Sequence, residues 1–135
     1  MIKVKRVEHI GVAVRNCTSA ASFYQLLGLK LGCTEDIPER ALKVAMLPVG
    51  ESEIELLEPT TADGTVAKFI EKRGEGIHHL ALCVEDIDGA VKELLAAGVR
   101  MIDQTPRSGA GGTRVAFVHP AAANGVLIEL VEETD

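Results

Sequence analysis

The sequence is poor in aromatic residues and in cysteine. Its 135 residues include no Trp, one Tyr and three Phe, so the core must be built from aliphatic side chains. Cys17, Cys33 and Cys83 are far apart and form no C-x-x-C pair, which argues against a thiolate zinc site and against a disulfide framework. Cys83 lies within an apolar run, where a cysteine is usually a small core residue. A catalytic thiol is therefore not expected.

The sequence also lacks an excess of positive charge and any long apolar segment. Its 14 Lys and Arg residues against 20 Asp and Glu residues give a net charge of −6, which argues against a general binder of nucleic acid or of anionic membranes. No apolar run approaches the roughly 20 residues of a membrane span. The basic segment Met1–Arg6 is not followed by the apolar region of a signal peptide. We therefore expect a cytoplasmic protein.

An internal repeat is the main feature that the sequence does contain. The stretch V-E-H-I-G-V-A-V, which includes His9, resembles the stretch I-H-H-L-A-L-C-V, which includes His79, 70 positions later. Each half ends with a glutamate between apolar residues, Glu55 in the first and Glu129 in the second, 74 positions apart. Two copies of one structural unit are therefore predicted.

Each half shows the pattern of a β-α-β-β-β module. Alternating apolar residues predict strands, and a polar cap before a helical period predicts a helix that a glycine closes. We expect a single domain, 1–135, with module one at about 5–59, a connecting helix at 65–73 and module two at about 76–132. In module one, we expect strands at Val7–Val14, Leu29–Cys33, Ala41–Leu47 and Glu53–Leu57, a helix from the N-cap Thr18 to Gly28 and a loop at Asp36–Glu39. In module two, we expect strands at Ile77–Val84, Val99–Ile102, Thr113–His119 and Val126–Val131, a helix from the cap Asp86 to Gly98 and a loop at Gln104–Gly112.

The two histidines and two glutamates of the repeat predict a metal site. A glutamate within an apolar strand is costly unless it is paired or bound to a cation. Two neutral imidazoles and two carboxylates, from His9, Glu55, His79 and Glu129, suit one divalent cation and balance its charge. One such histidine alone is more often a hydrogen-bonded core residue, and Glu55 alone could be an edge-strand charge. The recurrence of the same pair favours the metal site.

Two further histidines and one glycine-rich segment have weaker interpretations. His78 points to the face opposite His79 and is interpreted as structural. His119 precedes a proline and is interpreted as a turn residue or a minor contributor to the site. The segment Ser108–Gly112 could be a mobile flap whose backbone N–H groups meet an anionic ligand, or a plain hairpin loop.

Most of the chain also matches the pattern of a known family. The matching stretches are Val7–Val14, Phe23-Tyr24, Leu27–Leu29, Val44–Gly50, Ile54–Pro59, Thr65–Ile70, Gly76–His79, Gly111–Pro120 and Gly125–Leu130. On these residues the sequence resembles the vicinal-oxygen-chelate superfamily, which includes glyoxalase I, extradiol dioxygenases and bleomycin-resistance proteins. Within it, the sequence most closely resembles the methylmalonyl-CoA epimerases, and the last two stretches are the most specific for them.

The resemblance implies a fold and a site. The implied fold class is α+β, with paired β-α-β-β-β modules forming a cupped mixed sheet around a metal. The implied ligands are His9, Glu55, His79 and Glu129, with Co²⁺ favoured and Mn²⁺, Ni²⁺, Zn²⁺ and Mg²⁺ as alternatives. The fourth ligand position is glutamine in some epimerases and glutamate here. The implied partners are a coenzyme A thioester substrate and a second copy of the chain in a homodimer.

The implied activity is the metal-dependent interconversion of (2R)- and (2S)-methylmalonyl-CoA through a metal-stabilised enolate. Two carboxylates on opposite sides of the acidic carbon suit this reaction. Glu129 is assigned as the base, and Glu55 is the weaker candidate for the opposite base, for which a bound water or Glu53 could serve instead. Some epimerases carry a glutamate base where Val44 aligns, and a valine cannot transfer protons.

Three rival functions share the same fold. A glyoxalase-I-type isomerase uses the same ligand types and also moves a proton next to a carbonyl. A drug-binding protein would need no convergent metal ligands. An Fe²⁺ dioxygenase would use two histidines and one carboxylate, so the fourth ligand argues against it. Coenzyme A phosphate contacts could come from Lys72, Arg73, Arg107 and Arg114, although scattered surface cations are the favoured interpretation.

Overall fold

The computed structural model describes residues 1–133 and contains, within them, eight strands and three α-helices. The strands are β1 (Val4–Ala13), β2 (Thr34–Ile37), β3 (Leu42–Val49), β4 (Ser52–Pro59), β5 (Gly76–Val84), β6 (Arg107–Ser108), β7 (Arg114–Val118) and β8 (Ile128–Glu132). The helices are α1 (Cys17–Leu26), α2 (Thr65–Arg73) and α3 (Ile87–Ala96). None of these helices combines the length and the apolar composition that a membrane crossing requires.

Residues His9–His78 form one compact unit, here called unit A. Its strands are hydrogen-bonded in the order β2-β3-β4-β1, with β1 parallel to β4 and β3 antiparallel to both neighbours. Helix α1 covers one face of this sheet. Its core contains buried residues from the helix, from β3 and β4 and from the end of β1: Val14, Cys17, Ala21, Ala45, Leu47 and Leu56. The opposite face of the same strands carries His9 and Glu55.

Residues Met1–Glu8 and the chain from His79 onward form the second compact unit, unit B. Its strands are ordered β5-β8-β7-β6, with β5 parallel to β8 and β7 antiparallel to β8 and β6. Helix α3 packs on one face, in a core of Val84, Ile87, Ala90, Val91, Met101, Ala116, Val118 and Leu130. The beginning of β1 meets the end of the described chain in this unit, because Arg6 forms an ion pair with Glu133.

The predicted repeat is confirmed by the strand register of the two units. In unit A, Gly11 of β1 is opposite Glu55 of β4. In unit B, Ala81 of β5 is opposite Glu129 of β8 in the same parallel arrangement. His9 and His79 each lie two residues before the partner of the glutamate, on the same side of the strand. Equivalent sequence positions therefore hold equivalent places in the two units.

The predicted helix boundaries are confirmed with one exception. Helix α1 is capped by Asn16, whose side chain accepts a hydrogen bond from the backbone N–H of Ser19 at 2.9 Å, so the prediction of Thr18 as the N-cap is wrong. Asp86 caps α3 as predicted and accepts from the N–H of Gly89 at 3.1 Å. Gly28 closes α1 at a φ of +94°, a backbone conformation that glycine adopts without strain. Thr65–Arg73 forms the predicted connecting helix as α2.

Two predicted strands are wrong. Residues 29–33 contain no strand, and the edge strand β2 begins at Thr34. Of the predicted loop Asp36–Glu39, the first two residues belong to β2 and the last two to a short 3-10 turn. Residues 99–102 contribute a single bridge, between Met101 and Val118, whereas β6 lies in the predicted loop. The apolar side chains of Leu29 and Val99 are partly buried against the α1 and α3 cores. Their apolar character therefore reflects packing onto a helix and not pairing in a sheet.

Candidate metal centre

His9 and Glu55 lie close together on the sheet of unit A. The Nε2 atom of His9 is 3.7 Å from Oε2 of Glu55, and the two side chains are 7% and 13% exposed. Glu55 of β4 is opposite Gly11 of β1. Because Gly11 has no side chain, no side chain at this position separates the Glu55 carboxylate from His9. Met46 is opposite Glu55 on the other neighbouring strand. On the same face, Glu53 is the register partner of His9, so the pair of imidazole and carboxylate has a second carboxylate on one side and the apolar Met46 on the other.

His79 and Glu129 form the equivalent pair in unit B. The Nε2 atom of His79 is 3.1 Å from Oε1 of Glu129, and the side chains are 5% and 6% exposed. Phe117 is opposite Glu129 on β7, and its ring meets the His79 ring edge to face with centroids 5.9 Å apart. Ala81 lies on the other side of Glu129. Apolar neighbours therefore keep water away from this pair.

The chemistry of both pairs fits a divalent cation. A buried carboxylate requires a compensating charge, which a protonated imidazole or a metal ion can provide. Two ligands that each lie about 2.1 Å from one cation are roughly 3 to 4 Å apart. The separations of 3.1 and 3.7 Å fall in this range. Imidazole nitrogen with carboxylate oxygen is a donor set for Co²⁺, Zn²⁺, Ni²⁺ and Mn²⁺.

A second glutamate follows each of these glutamates by three residues and holds a helix in place. The side chain of Glu58 accepts a hydrogen bond from the backbone N–H of Cys17 at 2.7 Å. The side chain of Glu132 accepts from the N–H of Ile87 at 3.0 Å. Both donors are first residues of a helix, whose N-terminus favours a negative charge. Sequence analysis missed this role, although the repeated E-x-x-E spacing carries the signal.

The remaining histidines have structural places. The His78 ring contacts the ring of Phe69 edge to face with centroids 5.0 Å apart. The Nδ1 atom of His119 accepts a hydrogen bond from the N–H of Ala121 at 3.0 Å, which confirms the prediction of a turn residue. Val44, the position at which some epimerases carry a base, is 2% exposed and lies between Leu57 of β4 and Glu35 of β2 in the sheet.

The cysteines lie outside this chemistry. Cys83 is 1% exposed, as predicted for a core residue. Burial and the nearby Glu58 carboxylate raise the pKa of the Cys17 thiol to about 11. A thiol with this pKa is protonated at neutral pH and is a poor nucleophile.

The four candidate phosphate contacts differ in their surroundings. Arg114 forms a two-pronged ion pair with Asp88 of α3, and this hydrogen bond lowers the pKa of the Asp88 carboxyl. Arg73 lies over the ring of Phe69, 5.7 Å from its centroid. Lys72 is exposed. Arg107 pairs with Asp103 and lies over the ring of Phe117. The segment Ser108–Gly112 leads into a short turn in which the N–H of Gly109 donates to the carbonyl of Thr113 at 2.8 Å.

Comparison with known proteins identifies the family. Residues 8–117 match the model of the glyoxalase/bleomycin resistance protein/dioxygenase superfamily. The chain is 37% identical over 130 residues to the ethylmalonyl-CoA/methylmalonyl-CoA epimerase of Cereibacter sphaeroides, covering 94% of this chain and 97% of the relative. The chain belongs to the methylmalonyl-CoA epimerase family. The resemblance stated from the sequence, including the isomerase class of enzyme, is thereby confirmed.

Solved structures of the methylmalonyl-CoA epimerase family share this fold. A variant of the Streptomyces coelicolor methylmalonyl-CoA epimerase in complex with 2-nitronate-propionyl-CoA matches with a TM-score of 0.93 and 36% identity, over 98% of this chain and 96% of that chain. A methylmalonyl-CoA epimerase in complex with methylmalonyl-CoA and NH4+ matches with a TM-score of 0.92 over the same shares of the two chains. The predicted vicinal-oxygen-chelate fold of mixed α and β structure is confirmed.

Proposed function

We propose that this protein is a metal-dependent epimerase that interconverts (2R)- and (2S)-methylmalonyl-CoA. The observation that carries the proposal is the duplicated pair of buried imidazole and carboxylate, His9 with Glu55 and His79 with Glu129, in a chain of the epimerase family. The family relationship to structures that contain coenzyme A thioesters supports the substrate class.

We assign His9, Glu55, His79 and Glu129 as ligands of one divalent cation. Two neutral imidazoles and two carboxylates compensate a charge of +2 and leave positions for a chelating substrate at six-coordination. Co²⁺ is the favoured ion, with Mn²⁺, Ni²⁺, Zn²⁺ and Mg²⁺ as alternatives. When bound, such a cation supplies Lewis-acid stabilisation of the negative charge that develops on the substrate oxygens.

Glu129 is the proposed base of the reaction. The α-carbon of methylmalonyl-CoA lies between a thioester carbonyl and a carboxylate, so its C–H bond is acidic. Glu129 takes the proton, and the electron pair of the C–H bond moves onto the thioester oxygen. Return of a proton to the other side of the flat α-carbon gives the other epimer. The apolar neighbours Ala81 and Phe117 limit access of water to the carboxylate during this step.

The base on the opposite side is proposed to be Glu55. It is the matching carboxylate of the repeat and is 13% exposed as a side chain. Val44 offers no proton acceptor where some relatives carry a glutamate. Glu55 is the weaker candidate of the two, because its carboxylate is more exposed than that of Glu129, 13% against 6%, and the two directions of epimerisation are expected to differ in their dependence on it.

Proton exchange in D₂O tests the proposal directly. The purified protein is incubated with Co²⁺ and one epimer of methylmalonyl-CoA, and the α-proton is followed by NMR. Metal-dependent loss of the α-proton signal, together with loss of configuration, is the expected result. Absence of exchange in the metal-loaded protein would defeat the proposal. Activity on a glutathione hemithioacetal would then favour the glyoxalase-type function.

Two further assignments remain proposals. We propose that the chain is one domain, with modules at about residues 5–59 and 76–132, and that it assembles as a homodimer, as the resemblance implies. Sedimentation equilibrium of the purified protein is expected to give twice the mass of the chain, which is 14.4 kDa. A monomer at micromolar concentration would contradict the dimer. A cytoplasmic location stays a prediction.

A further inference from the structure

Arg107 begins on the same face of unit B as the candidate base. Its partner in the β6–β7 pair is Val115, and Phe117, two residues further along β7, is the partner of Glu129. Residues opposite each other in a sheet project to the same side, as do residues two apart in one strand. The side chains of Arg107, Phe117 and Glu129 therefore share one face.

Two contacts fix the guanidinium of Arg107. Its Nε atom lies 3.2 Å from Oδ1 of Asp103, while Oδ2 of the same aspartate accepts a hydrogen bond from the N–H of Phe117 at 2.8 Å. Its Cζ atom lies over the Phe117 ring, 5.6 Å from the centroid. The Asp103 side chain is only 16% exposed, so it is a firm support. The guanidinium is therefore oriented before any ligand arrives.

Phe117 connects this guanidinium to the candidate metal centre. The ring that carries Arg107 is also the ring that meets His79 edge to face, with centroids 5.9 Å apart. His79 in turn contacts Glu129 at 3.1 Å. A continuous row of contacts thus runs from a cation at the edge of the sheet to the carboxylate proposed as the base.

The nearby Arg114 provides a contrast. It is opposite Ser108, the neighbour of Arg107, and therefore projects to the other face of the sheet. Both of its terminal nitrogens bind Asp88 of α3, at 2.5 and 2.9 Å. Arg107 is held by Asp103 through Nε and keeps a side chain that is 49% exposed. Its two terminal nitrogens can receive an oxyanion in the two-pronged geometry that carboxylate and phosphate favour.

We propose that Arg107 binds an oxyanion of the substrate and so determines its affinity. This inference rests on the proposed function, because a methylmalonyl thioester of coenzyme A carries both a carboxylate and phosphates. The guanidinium supplies the two-pronged contact, Asp103 orients it, and Phe117 keeps it at the edge of the apolar surface next to His79.

The test compares Arg107→Gln with Arg107→Lys and with the control Arg114→Gln. For methylmalonyl-CoA, the KM of R107Q is expected to rise about tenfold or more while kcat changes little, because a charged hydrogen bond to the substrate is lost. R107K keeps the positive charge but not the planar guanidinium that makes two parallel hydrogen bonds, so its KM is expected to lie between those of the wild type and R107Q. R114Q removes the same charge from the opposite face and is expected to leave KM unchanged.

A substrate without phosphates identifies the oxyanion. If Arg107 binds the carboxylate, R107Q raises the KM of methylmalonyl-pantetheine as much as that of methylmalonyl-CoA. If it binds a phosphate, only the KM of the coenzyme A thioester rises. An unchanged KM of R107Q for both substrates, or an equal rise in R114Q, overturns the inference while the wild type remains an active epimerase. An inactive wild type defeats the proposed function and the inference with it.

Discussion

At the scale of single residues, the burial of Glu129 determines what the site can do. A carboxylate that is 6% exposed is stable only when it has a hydrogen-bonding partner or a bound cation, and Nε2 of His79 lies 3.1 Å from Oε1 of Glu129. The same two groups thus meet the requirements of stability and of metal binding. When the charge of Glu129 is removed but its shape is kept, we expect the rate of α-proton exchange and the stability of the site to respond differently.

Glu129→Gln tests this separation. Glutamine keeps the size of glutamate and one oxygen ligand but cannot accept the α-proton. We expect exchange of the α-proton in D₂O to fall by about 100-fold or more, while Co²⁺ still binds with reduced affinity in isothermal titration. Glu71→Gln, at an exposed position of α2, serves as the control and should retain full exchange. Undiminished exchange in E129Q would remove the role of Glu129 as the base.

The cysteines give a second test at this scale. Cys33 is exposed, whereas Cys17 and Cys83 are buried. Because burial raises the pKa of Cys17 from 9.0 to about 11, its thiol stays protonated at pH 8. We expect a thiol reagent at pH 8 to modify Cys33 rapidly in the native protein and the other two cysteines only after unfolding. Rapid modification of Cys17 in the native state would contradict its burial.

The shifted pKa of Cys17 also has a consequence for stability. In the unfolded chain the thiol ionises near pH 9.0, and in the folded protein it ionises near 11. The contribution of the neutral buried thiol is therefore fully present below pH 9 and is lost as the pH rises toward 11. Urea unfolding of the wild type and of Cys17→Ala is expected to show a steeper alkaline decline in the wild type.

At the scale of elements, the E-x-x-E spacing couples each ligand strand to a helix. Glu58 and Glu132 accept hydrogen bonds from the first residues of α1 and α3, Cys17 and Ile87. A proposed metal ligand, Glu55 or Glu129, lies three residues earlier on each strand and projects to the opposite face of the sheet. The helix N-terminus therefore helps to fix the strand that carries the ligand.

Variants of these glutamates test the coupling. Glu58→Ala and Glu132→Ala are each expected to lower the free energy of unfolding by about 1 to 2 kcal/mol, because a helix N-terminal N–H loses its charged acceptor. Each is also expected to weaken Co²⁺ binding several-fold, with partial recovery in Glu58→Gln and Glu132→Gln, which keep an acceptor oxygen. Loss of stability with unchanged metal affinity would show that these residues act on the helix alone.

The elements also show how far the sequence determines the structure. Some signals are local in the sequence: apolar residues alternate with a period of two in β1 and β5, and glycines close α1 and α3. These signals predict the four elements well. The apolar residues around Leu29 and Val99 carry the same local signal but pack against helices. The short β6 has no signal of its own, since it exists by pairing with β7.

The same reasoning applies to the candidate site. The four proposed ligands stand out because a repeat places them in matching apolar contexts. Arg107 does not stand out, because its side of the sheet is set by the register of β6 and β7 and its orientation by Asp103 and Phe117. Contacts between distant positions of the chain, which composition and period do not encode, distinguish Arg107 from the other surface cations.

At the scale of the whole molecule, the net charge of −6 opposes the approach of an anionic thioester. Long-range attraction therefore does not explain recognition, and short-range contacts must provide it. The proposed contacts with the Arg107 guanidinium and with a divalent cation are of this kind. Both act within a few ångströms, where the charge of the whole protein matters little.

Metal binding is expected to stabilise the entire folded chain. A cation that binds only the native state adds about 4 kcal/mol at a concentration 1,000 times its Kd. For a chain of 135 residues, this corresponds to a rise in Tm of about 10 °C or more. Differential scanning calorimetry with and without Co²⁺ measures the effect, and a variant with His9→Ala and His79→Ala should show none. A Tm of the wild type that is insensitive to Co²⁺, Mn²⁺, Ni²⁺, Zn²⁺ and Mg²⁺ would contradict the metal assignment.

The ion pair between Arg6 of β1 and Glu133 brings a segment before the first repeat next to a segment after the second. The order in which the two repeats are translated is then not imposed by the fold. A short linker that joins these two segments, with the chain opened in the exposed turn at 60–63, gives a circular permutant in which the second repeat precedes the first. Such a permutant allows either repeat to be exchanged, labelled or evolved from a free terminus while its strands keep their pairing.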